Sequence, residues 1–376
     1  MGMKYSDLVN YDKLDPFKEE CIARFRKTLE YSKRLGISIV EESIGETAVA
    51  IDMGGDFYLV FNVEGLGTKN KIAESMAEKI KIARTLGFNP NFSIRKLFSG
   101  IGQDEMAMSI NDLTGIGAIP FLFEPIVATG SSDFLMDIEM RQGIIDGFEI
   151  GARNARVPIP GGETPTLEGV VYPNTIDYAG ASLGIIRPKS RLCVGNNLRP
   201  GLTIYGIASS GIHSNGVSLA REIAEKSPQG YFTMLSDGRT IGEALLTPTK
   251  MYSSLVDALT MEGADIAYMQ PITGHGFGKI MRKKKDLTYV IDNLPEPNVE
   301  FKFLQEYGPV DNEEAYKVWN MNIGFVLYAS SSESEKIARA VGKSGNIAYI
   351  IGHTEEGERS VVIPQIDVTY RPRKAA

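Results

Sequence analysis

A loop suited to binding an anion lies at residues 203–216, which read Thr-Ile-Tyr-Gly-Ile-Ala-Ser-Ser-Gly-Ile-His-Ser-Asn-Gly. The stretch begins as a β-type run to Ala208, and apolar residues recur at helical spacing from Val217. A glycine loop between a strand and a helix presents unpaired backbone N–H groups and the positive end of the helix dipole, which together can hold an anion. His213 lies inside this loop. The same spacing also fits an ordinary capped turn.

A carboxylate and a lysine flank a second glycine loop, Glu64-Gly-Leu-Gly-Thr-Lys69, which also lies between a predicted strand and a predicted helix. Carboxylates bind Mg²⁺, and an amine neutralises the charge of phosphate oxygens. The loop therefore carries the pair of groups that a metal–phosphate complex requires, although glycine loops of this kind also arise by chance.

A third glycine turn, at residues 100–103, opens a predicted helix that carries further oxygen ligands. Asp104 and Asn111 are seven residues apart and share one face of this helix, with Asp112 beside them. These groups could line a magnesium site. The alternative is that Asp104 only interacts favourably with the helix dipole in the first turn.

Two other charged segments have more than one interpretation. Glu163 follows Gly161 and Gly162 at the end of a predicted strand, where it could bind a metal or an amine, or lie in a solvated turn. The basic run at residues 282–285 follows the loop Thr273-Gly-His-Gly-Phe-Gly278 and the helix after it. Cations are favoured at a helix C-terminus, so a solvated helix end is the preferred interpretation over a binding patch.

The elements that must position these loops alternate between strand and helix, which predicts a mixed α/β protein. A length of 376 residues is long for a single core, so two domains are expected. The predicted domains are residues 1–190 and 191–366, joined through a polar linker at 189–201 and followed by a frayed tail at 367–376. Residues 12–36 fit an amphipathic helix that ends at Gly36, with Phe17 and Phe25 on its apolar face.

Composition excludes several classes of function. The net charge of −7 and the pI near 5.3 argue against a surface for nucleic acid or anionic membrane, because phosphate backbones require clustered cations. Cys21 and Cys193 lie far apart and form no metal-binding motif. The N-terminus lacks the apolar core of a signal peptide, so a cytoplasmic protein is expected.

In their order, these loops resemble those of the aminoimidazole ribonucleotide synthetases, also called phosphoribosylformylglycinamidine cyclo-ligases. The resemblance covers roughly residues 57–364. It rests on Gly65-Leu-Gly-Thr-Lys69, Gly102-Gln-Asp104, Asn111-Asp112-Leu113, Ala128-Thr-Gly130, Gly161-Gly-Glu-Thr164, Ser209-Ser-Gly-Ile-His-Ser-Asn-Gly216, Leu246-Thr-Pro-Thr249 and Thr273-Gly274.

The resemblance implies a fold and a reaction. The fold is α+β, with an N-terminal mixed sheet that joins the sheet of a second subunit in a barrel-like homodimer, and a C-terminal α/β sandwich domain. The reaction uses ATP and Mg²⁺ to close the imidazole ring of a small nucleotide substrate, formylglycinamidine ribonucleotide, and releases ADP and phosphate. The formyl-amide oxygen is phosphorylated and an amidine nitrogen then attacks the same carbon.

The resemblance also implies roles for individual residues. The implied metal ligands are Asp104, Glu64 and Asp112, and the implied ATP and phosphate contacts are Gly65, Gly67, Thr68, Lys69, Asn111 and Asp112. The implied substrate contacts are Gly162, Glu163, Thr164, Ser210, Gly211, Ser214, Asn215 and Gly216. The implied catalytic residues are His213, Lys69 and Asp104. Because a loop histidine adds little packing, replacing His213 is expected to lower turnover more than stability.

The chain also departs from the family pattern. Glu64 stands where the family usually has Asp, and His275 occupies a family glycine. Asn322 replaces a small residue. The glycine-rich N-terminal segment with a lysine that usually covers ATP is not matched by residues 30–56.

These departures leave other functions open. One alternative is another ATP-using enzyme of the same superfold, such as selenide water dikinase, thiamine-monophosphate kinase or the hydrogenase-maturation protein. Another is a nucleotide-binding relative without catalysis.

Overall fold

The N-terminal half is built on a five-stranded antiparallel sheet. The computed structural model describes residues 3–372. The strand order is β1-β2-β3-β5-β4. The strands are β1 Ser38–Ile39, β2 Val49–Asp52, β3 Tyr58–Gly65, β4 Ile119–Thr129 and β5 Ile176–Ile186. Every second side chain of β5 is buried, as expected for a sheet with one face against a core.

Helix α3, Ile94–Thr114, packs on the inner face of this sheet. Helices α2, Asn70–Thr85, and α4, Ile138–Ala155, pack against α3. Helix α3 is buried along nearly its whole length, which makes it the central element of this half. It packs unusually close to α4 because Gly143 and Gly147 face it. A Cβ atom at Gly147 would lie 2.3 Å from the carbonyl oxygen of Ser99.

A seven-stranded mixed sheet forms the C-terminal half, in the order β12-β11-β8-β10-β6-β9-β7. The strands are β6 Thr203–Ala208, β7 Ile266–Pro271, β8 Thr288–Ile291, β9 Ile323–Ala329, β10 Ala348–Glu355, β11 Ser360–Ile363 and β12 Val368–Tyr370. The helices are α5 Val217–Lys226, α6 Ile241–Leu245, α7 Ser253–Met261, α8 Val299–Tyr307, α9 Asn312–Val318 and α10 Ser334–Lys343. The predicted α+β class is therefore confirmed, but the N-terminal sheet is antiparallel rather than mixed as predicted. The exact domain limits stay a prediction.

The prediction of a frayed tail from residue 367 is wrong for its first part. Strand β12 pairs antiparallel with β11, and the ring of Tyr370 is buried with its hydroxyl donating to the carbonyl of Glu313 at 2.7 Å. Alternating Val368 and Tyr370 supply the inward side chains that the tail interpretation overlooked. Residues 373–376 of that prediction lie outside the described residues.

The N-terminal helix is present, but its apolar face is not buried. Helix α1 spans Tyr11–Phe25, and a 3₁₀ segment continues to Leu35, before Gly36 in the left-handed conformation. Phe17 is 70% exposed, so this stripe does not pack into the core as amphipathic spacing suggested. Within residues 3–372, no helix is long and apolar enough to span a membrane.

Candidate functional site

A buried ion pair lies where the two halves meet. Lys69 stands at the start of α2, and its Nζ donates to Asp104 Oδ1 on α3 at 2.8 Å and to the carbonyl of Thr247 at 2.8 Å. The backbone N–H of Thr249 donates to the same carboxylate oxygen at 2.7 Å. Both charged side chains are 0% exposed. The pair therefore binds the N-terminal helices to the loop between α6 and α7.

Burial shifts the pKa values of both Lys69 and Asp104. It raises the pKa of Asp104, against the opposing effects of Lys69 and Thr249, and it lowers the pKa of Lys69. Asp104 Oδ2 has no hydrogen-bond partner among the described residues. Neither side chain lines the cavity described below, and the implied contacts of Lys69 with phosphate and of Asp104 with a metal stay predictions.

Asn111, like Asp104, holds the loop between α6 and α7 against α3. Its side chain accepts from the N–H of Tyr252 at 2.9 Å and donates to the carbonyl of Lys250 at 2.8 Å. Asp104 and Asn111 share a helix face, as predicted, and that face holds residues 247–252. The predicted start of the helix is wrong, because α3 begins at Ile94 and residues 100–103 lie inside it, so Asp104 is not in the first turn. The structure gives these two residues a positioning contact, and the implied contact of Asn111 with ATP stays a prediction.

The cavity that can hold a ligand opens beside this junction and has a volume of about 540 Å³. Glu64, from the end of β3, and Asp112, from the end of α3, supply carboxylates to its lining. Lys279 and Arg282, from the loop after β7, supply cations. Asn215 lies on a further wall. The remaining lining residues are Asp15, Lys18, Met108, Thr273, Gly274, His275 and Gly278.

The charges around this cavity influence one another. Burial, reinforced by Glu64, raises the pKa of Asp112 to about 7 despite Lys279 and Arg282. Burial also raises the pKa of Glu64. For Lys279, burial and the neighbouring Arg282 lower the pKa to about 8, against the attraction of Asp112 and Glu64. The acidic and basic side chains of this cavity therefore partly offset one another's charge.

The carboxylates of the cavity could bind Mg²⁺ together with a ligand. They are too few to bind the ion with protein ligands alone. The described residues contain no group of three or more His, Cys, Asp or Glu side chains that could hold a metal. Mg²⁺ is usually bound through one or two carboxylates together with water and substrate phosphates. Glu64 and Asp112 supply that number, whereas Asp104 is engaged in the buried pair.

His213 is a buried part of its loop. It is 4% exposed, has a φ of 61°, and its Nε2 accepts the backbone N–H of Ser210 at 3.2 Å. A Cβ atom at Gly324 would lie 2.5 Å from its Cε1 atom, so the ring fills its space closely. Burial lowers the pKa of His213 to about 3, which keeps the imidazole neutral. The expectation that this histidine adds little packing is wrong.

The rest of the loop is held by protein contacts. Ser210 Oγ donates to the carbonyl of Pro248 at 2.6 Å, and Ser214 Oγ to Asp104 Oδ1 at 3.3 Å. The carbonyl of Gly211 accepts from Asn320 at 2.8 Å, and the carbonyl of Gly216 accepts from the indole of Trp319 at 3.1 Å. Gly216 also lines a smaller neighbouring cavity of about 160 Å³. Of the predicted substrate contacts in this loop, Asn215 lines the main cavity.

The glycine loop at residues 64–69 remains accessible. Gly65, Gly67 and Thr68 are exposed, and Gly67 has a φ of 78°. The Thr68 hydroxyl lies 3.1 Å from that of Ser218, across the junction of the two halves. These backbone groups can receive a ligand, and their contact with ATP stays a prediction.

Glu163 lies apart from these groups. Gly162, Glu163 and Thr164 are exposed and run beside β4, with Glu163 opposite Ile126. Through the pairings of β3, β5 and β4, three strand spacings, on the order of 14 Å, separate this position from Gly65. The structure does not bring Glu163 to the cavity within one chain.

Lys279 and Arg282 are the site residues that sequence reasoning missed. The basic run was interpreted as a solvated helix end, but Arg282 lines the cavity and donates twice to the carbonyl of Gly45, at 2.8 and 3.2 Å. The sequence signal that could have identified this site is Lys279, which follows the glycine loop at residues 273–278 after a strand, as Lys69 follows its own glycine loop.

Comparisons with known proteins agree with this architecture. The sequence profile of the AIR synthase related protein N-terminal domain matches residues 45–186, and that of the C-terminal domain matches residues 199–365. Among solved structures, thiamine-monophosphate kinase from Stenotrophomonas maltophilia has a TM-score of 0.58 at 16% identity, covering 93% of this chain and 96% of that one. The hydrogenase maturation protein HypE in complex with ATP has a TM-score of 0.54 at 15% identity, with 85% of each chain covered.

Curated relatives named phosphoribosylformylglycinamidine cyclo-ligase are more similar. That of Methanocaldococcus jannaschii is 35% identical over 300 residues, covering 79% of this chain and 78% of the relative. That of Methanococcus maripaludis is 34% identical, covering 91% and 90%. That of Clostridium kluyveri is 33% identical, covering 89% and 93%.

The fold and the junction site define a two-domain α/β protein of the architecture shared with thiamine-monophosphate kinase and HypE. Structural likeness at such low identity shows the fold alone. The profile matches go further, because together they span most of the chain. The chain belongs to the AIR synthase related family, and the suspected resemblance to phosphoribosylformylglycinamidine cyclo-ligases is confirmed.

Proposed function

We propose that this protein closes the imidazole ring of aminoimidazole ribonucleotide from formylglycinamidine ribonucleotide, with ATP and Mg²⁺, and releases ADP and phosphate. The observation that carries the proposal is the cavity lined by three carboxylates and three cations, in a chain whose similar relatives are named cyclo-ligases. A metal nucleotide requires both kinds of charge.

The reaction balances as two substitutions. The formyl-amide oxygen attacks the γ-phosphorus of ATP, and ADP leaves. An amidine nitrogen then attacks the formyl carbon, the carbon–oxygen bond breaks, and phosphate leaves with the former amide oxygen. Mg²⁺, when bound, would neutralise charge on the transferred phosphoryl group. The protein's main task is therefore to position the reactants and stabilise developing charge.

Different residues of the chain are proposed to bind the metal, to contact the ligand and to position the loops. Glu64 and Asp112 would hold Mg²⁺, and Asn215 would contact the ligand. His213 is neutral and accepts from the N–H of Ser210, so its proposed role is to fix the loop that ends at Asn215. Lys69 and Asp104 fix the junction that shapes the cavity.

A homodimer is part of the proposal. The outer face of the N-terminal sheet carries exposed apolar side chains, among them Phe61, Val63, Phe121 and Ile126. An exposed patch of this kind usually marks an interaction site. Pairing two such faces in a closed barrel would cover them.

The test is a coupled ADP-release assay with purified protein, Mg·ATP and formylglycinamidine ribonucleotide. Turnover that requires the ribonucleotide, and that falls in Asp112→Asn but not in the exposed Glu335→Gln control, is the expected result. Absence of substrate-dependent turnover by folded protein would contradict the proposal. Nucleotide binding without any turnover would favour a non-catalytic relative.

A further inference from the structure

The lysine that the family resemblance assigns to phosphate is not accessible in this chain. The Nζ atom of Lys69 donates to Asp104 and to the carbonyl of Thr247, and the side chain is 0% exposed. Moving it to a ligand would leave Asp104 buried without its counter-ion, which is strongly unfavourable. An anion in the cavity therefore needs another cation.

Lys279 lines the cavity, whereas Lys69 does not. It lies in a 3₁₀ turn, Gly276–Met281, directly after β7. The side chains of Phe277 and Ile280 are fully buried. The side-chain amide of Gln270 donates to the carbonyl of Lys279 at 2.8 Å. These contacts fix the turn, and the Lys279 side chain lines the cavity with its Nζ donating to Thr273 Oγ1.

We propose that Lys279 is the residue that contacts the polyphosphate of the bound nucleotide, in place of Lys69. The inference rests on the proposed function, because it names a ligand contact of the same site. Glu64 and Asp112 would bind the metal, and the Lys279 amine, which lines the same cavity, would neutralise phosphate oxygens. Since an ammonium is a compact charge with rotatable donors, it can leave Thr273 for phosphate without a change in the backbone.

Arg282 supports this arrangement without replacing it. Its guanidinium donates to the carbonyl of Gly45 and lies 3.9 Å from Glu46. Those contacts hold the loop after β7 against the N-terminal half. Arg282 is therefore a positioning residue, and Lys279 is the ligand contact.

The test compares Lys279→Met with Lys284→Met in the full-length protein. Both variants remove one positive charge from the same segment, but Lys284 is exposed and does not line the main cavity. Calorimetry measures the affinity for Mg²⁺ with a non-hydrolysable ATP analogue, and thermal unfolding checks the fold. Loss of a charged hydrogen bond predicts affinity weakened by about tenfold or more in Lys279→Met, and by less than about twofold in Lys284→Met. Lys279→Arg is expected to recover part of the affinity.

Equal affinity of the Lys279→Met variant and the wild type would overturn the inference, and so would a wild type that does not bind the magnesium nucleotide. Failure of the proposed function gives a different result. If wild type binds the nucleotide through Lys279 but shows no turnover with formylglycinamidine ribonucleotide, the reaction assignment fails and the contact stands. A Lys279→Met variant with wild-type melting temperature excludes a purely structural effect.

Discussion

At the scale of single residues, Lys69 and Asp104 show that the same residue types can form either a ligand site or an internal ion pair. Lys69 and Asp104 have the residue types of a phosphate and metal site, and the structure brings them together at the junction of the two halves. Their complete burial and their bonds to Thr247 and Thr249 make them an internal ion pair. Spacing along the chain does not reveal burial, because that depends on which loop of the other half packs over them.

Removing one member of this pair should destabilise the protein. Lys69→Met leaves the Asp104 carboxylate buried without its counter-ion, and such changes cost about 3–5 kcal/mol. Urea denaturation measures the effect. Lys226→Met, which breaks an exposed pair with Glu222 on α5, is the matched control and should change stability by less than about 1 kcal/mol. An equal effect of both substitutions would show that the pair does not hold the junction.

His213 should make stability depend on pH. Burial holds its pKa in the folded protein near 3, below the ordinary value of about 6.5, so the unfolded chain binds the proton more readily. The stability that comes from the neutral ring is present above about pH 6.5 and is lost as the pH falls toward 3. Denaturant unfolding from pH 7 to pH 4 should therefore show a steeper loss in wild type than in His213→Gln. Parallel curves would contradict a buried neutral imidazole.

At the scale of elements, the sequence predicted most strands and helices, including the strand, loop and helix of residues 203–224. Apolar periodicity and glycine loops carry that information locally. It missed β12, because the alternation of Val368 and Tyr370 is too short to stand out from a terminal segment. It also missed the solvent exposure of the apolar face of α1. It also assigned Arg282 to a solvated end, because the contact with Gly45 joins segments far apart in the chain.

Close packing of α3 and α4 is an element-scale property that positions the cavity, since α3 carries Asp112. Gly147→Ala would place a Cβ atom 2.3 Å from the carbonyl of Ser99, and overpacking of this kind costs about 1–3 kcal/mol. Gly342→Ala in α10 is the control, because no atom lies within 4 Å of its added Cβ. Alanine favours a helix there by up to about 1 kcal/mol. Thermal unfolding should show a lower melting temperature for Gly147→Ala and a higher one for Gly342→Ala. A change in the same direction for both variants would contradict the close contact of α3 and α4.

At the scale of the whole molecule, the site lies where the two halves meet. The sequence therefore indicates which loops form the site, but not which of their residues line the cavity. The glycine loops at Glu64 and Asn215 and the loop after β7 come from distant segments and meet at one cavity. Glu163, by contrast, lies beside β4 and outside that cavity. Its proposed substrate contact would therefore depend on what lies against the outer face or edge of the N-terminal sheet.

A second copy of the chain is the proposed occupant of that outer face, and its assembly can be measured directly. Val63 is 55% exposed and Phe61 40%, on strand β3 at the middle of the sheet. Val63→Asp would bury a carboxylate between two apolar faces, which strongly disfavours association. Sedimentation is expected to show a dimer for wild type and a monomer for Val63→Asp. Met261→Asp, at the exposed end of α7, should remain dimeric. A monomeric wild type, or a Val63→Asp dimer of unchanged affinity, would contradict pairing through this sheet.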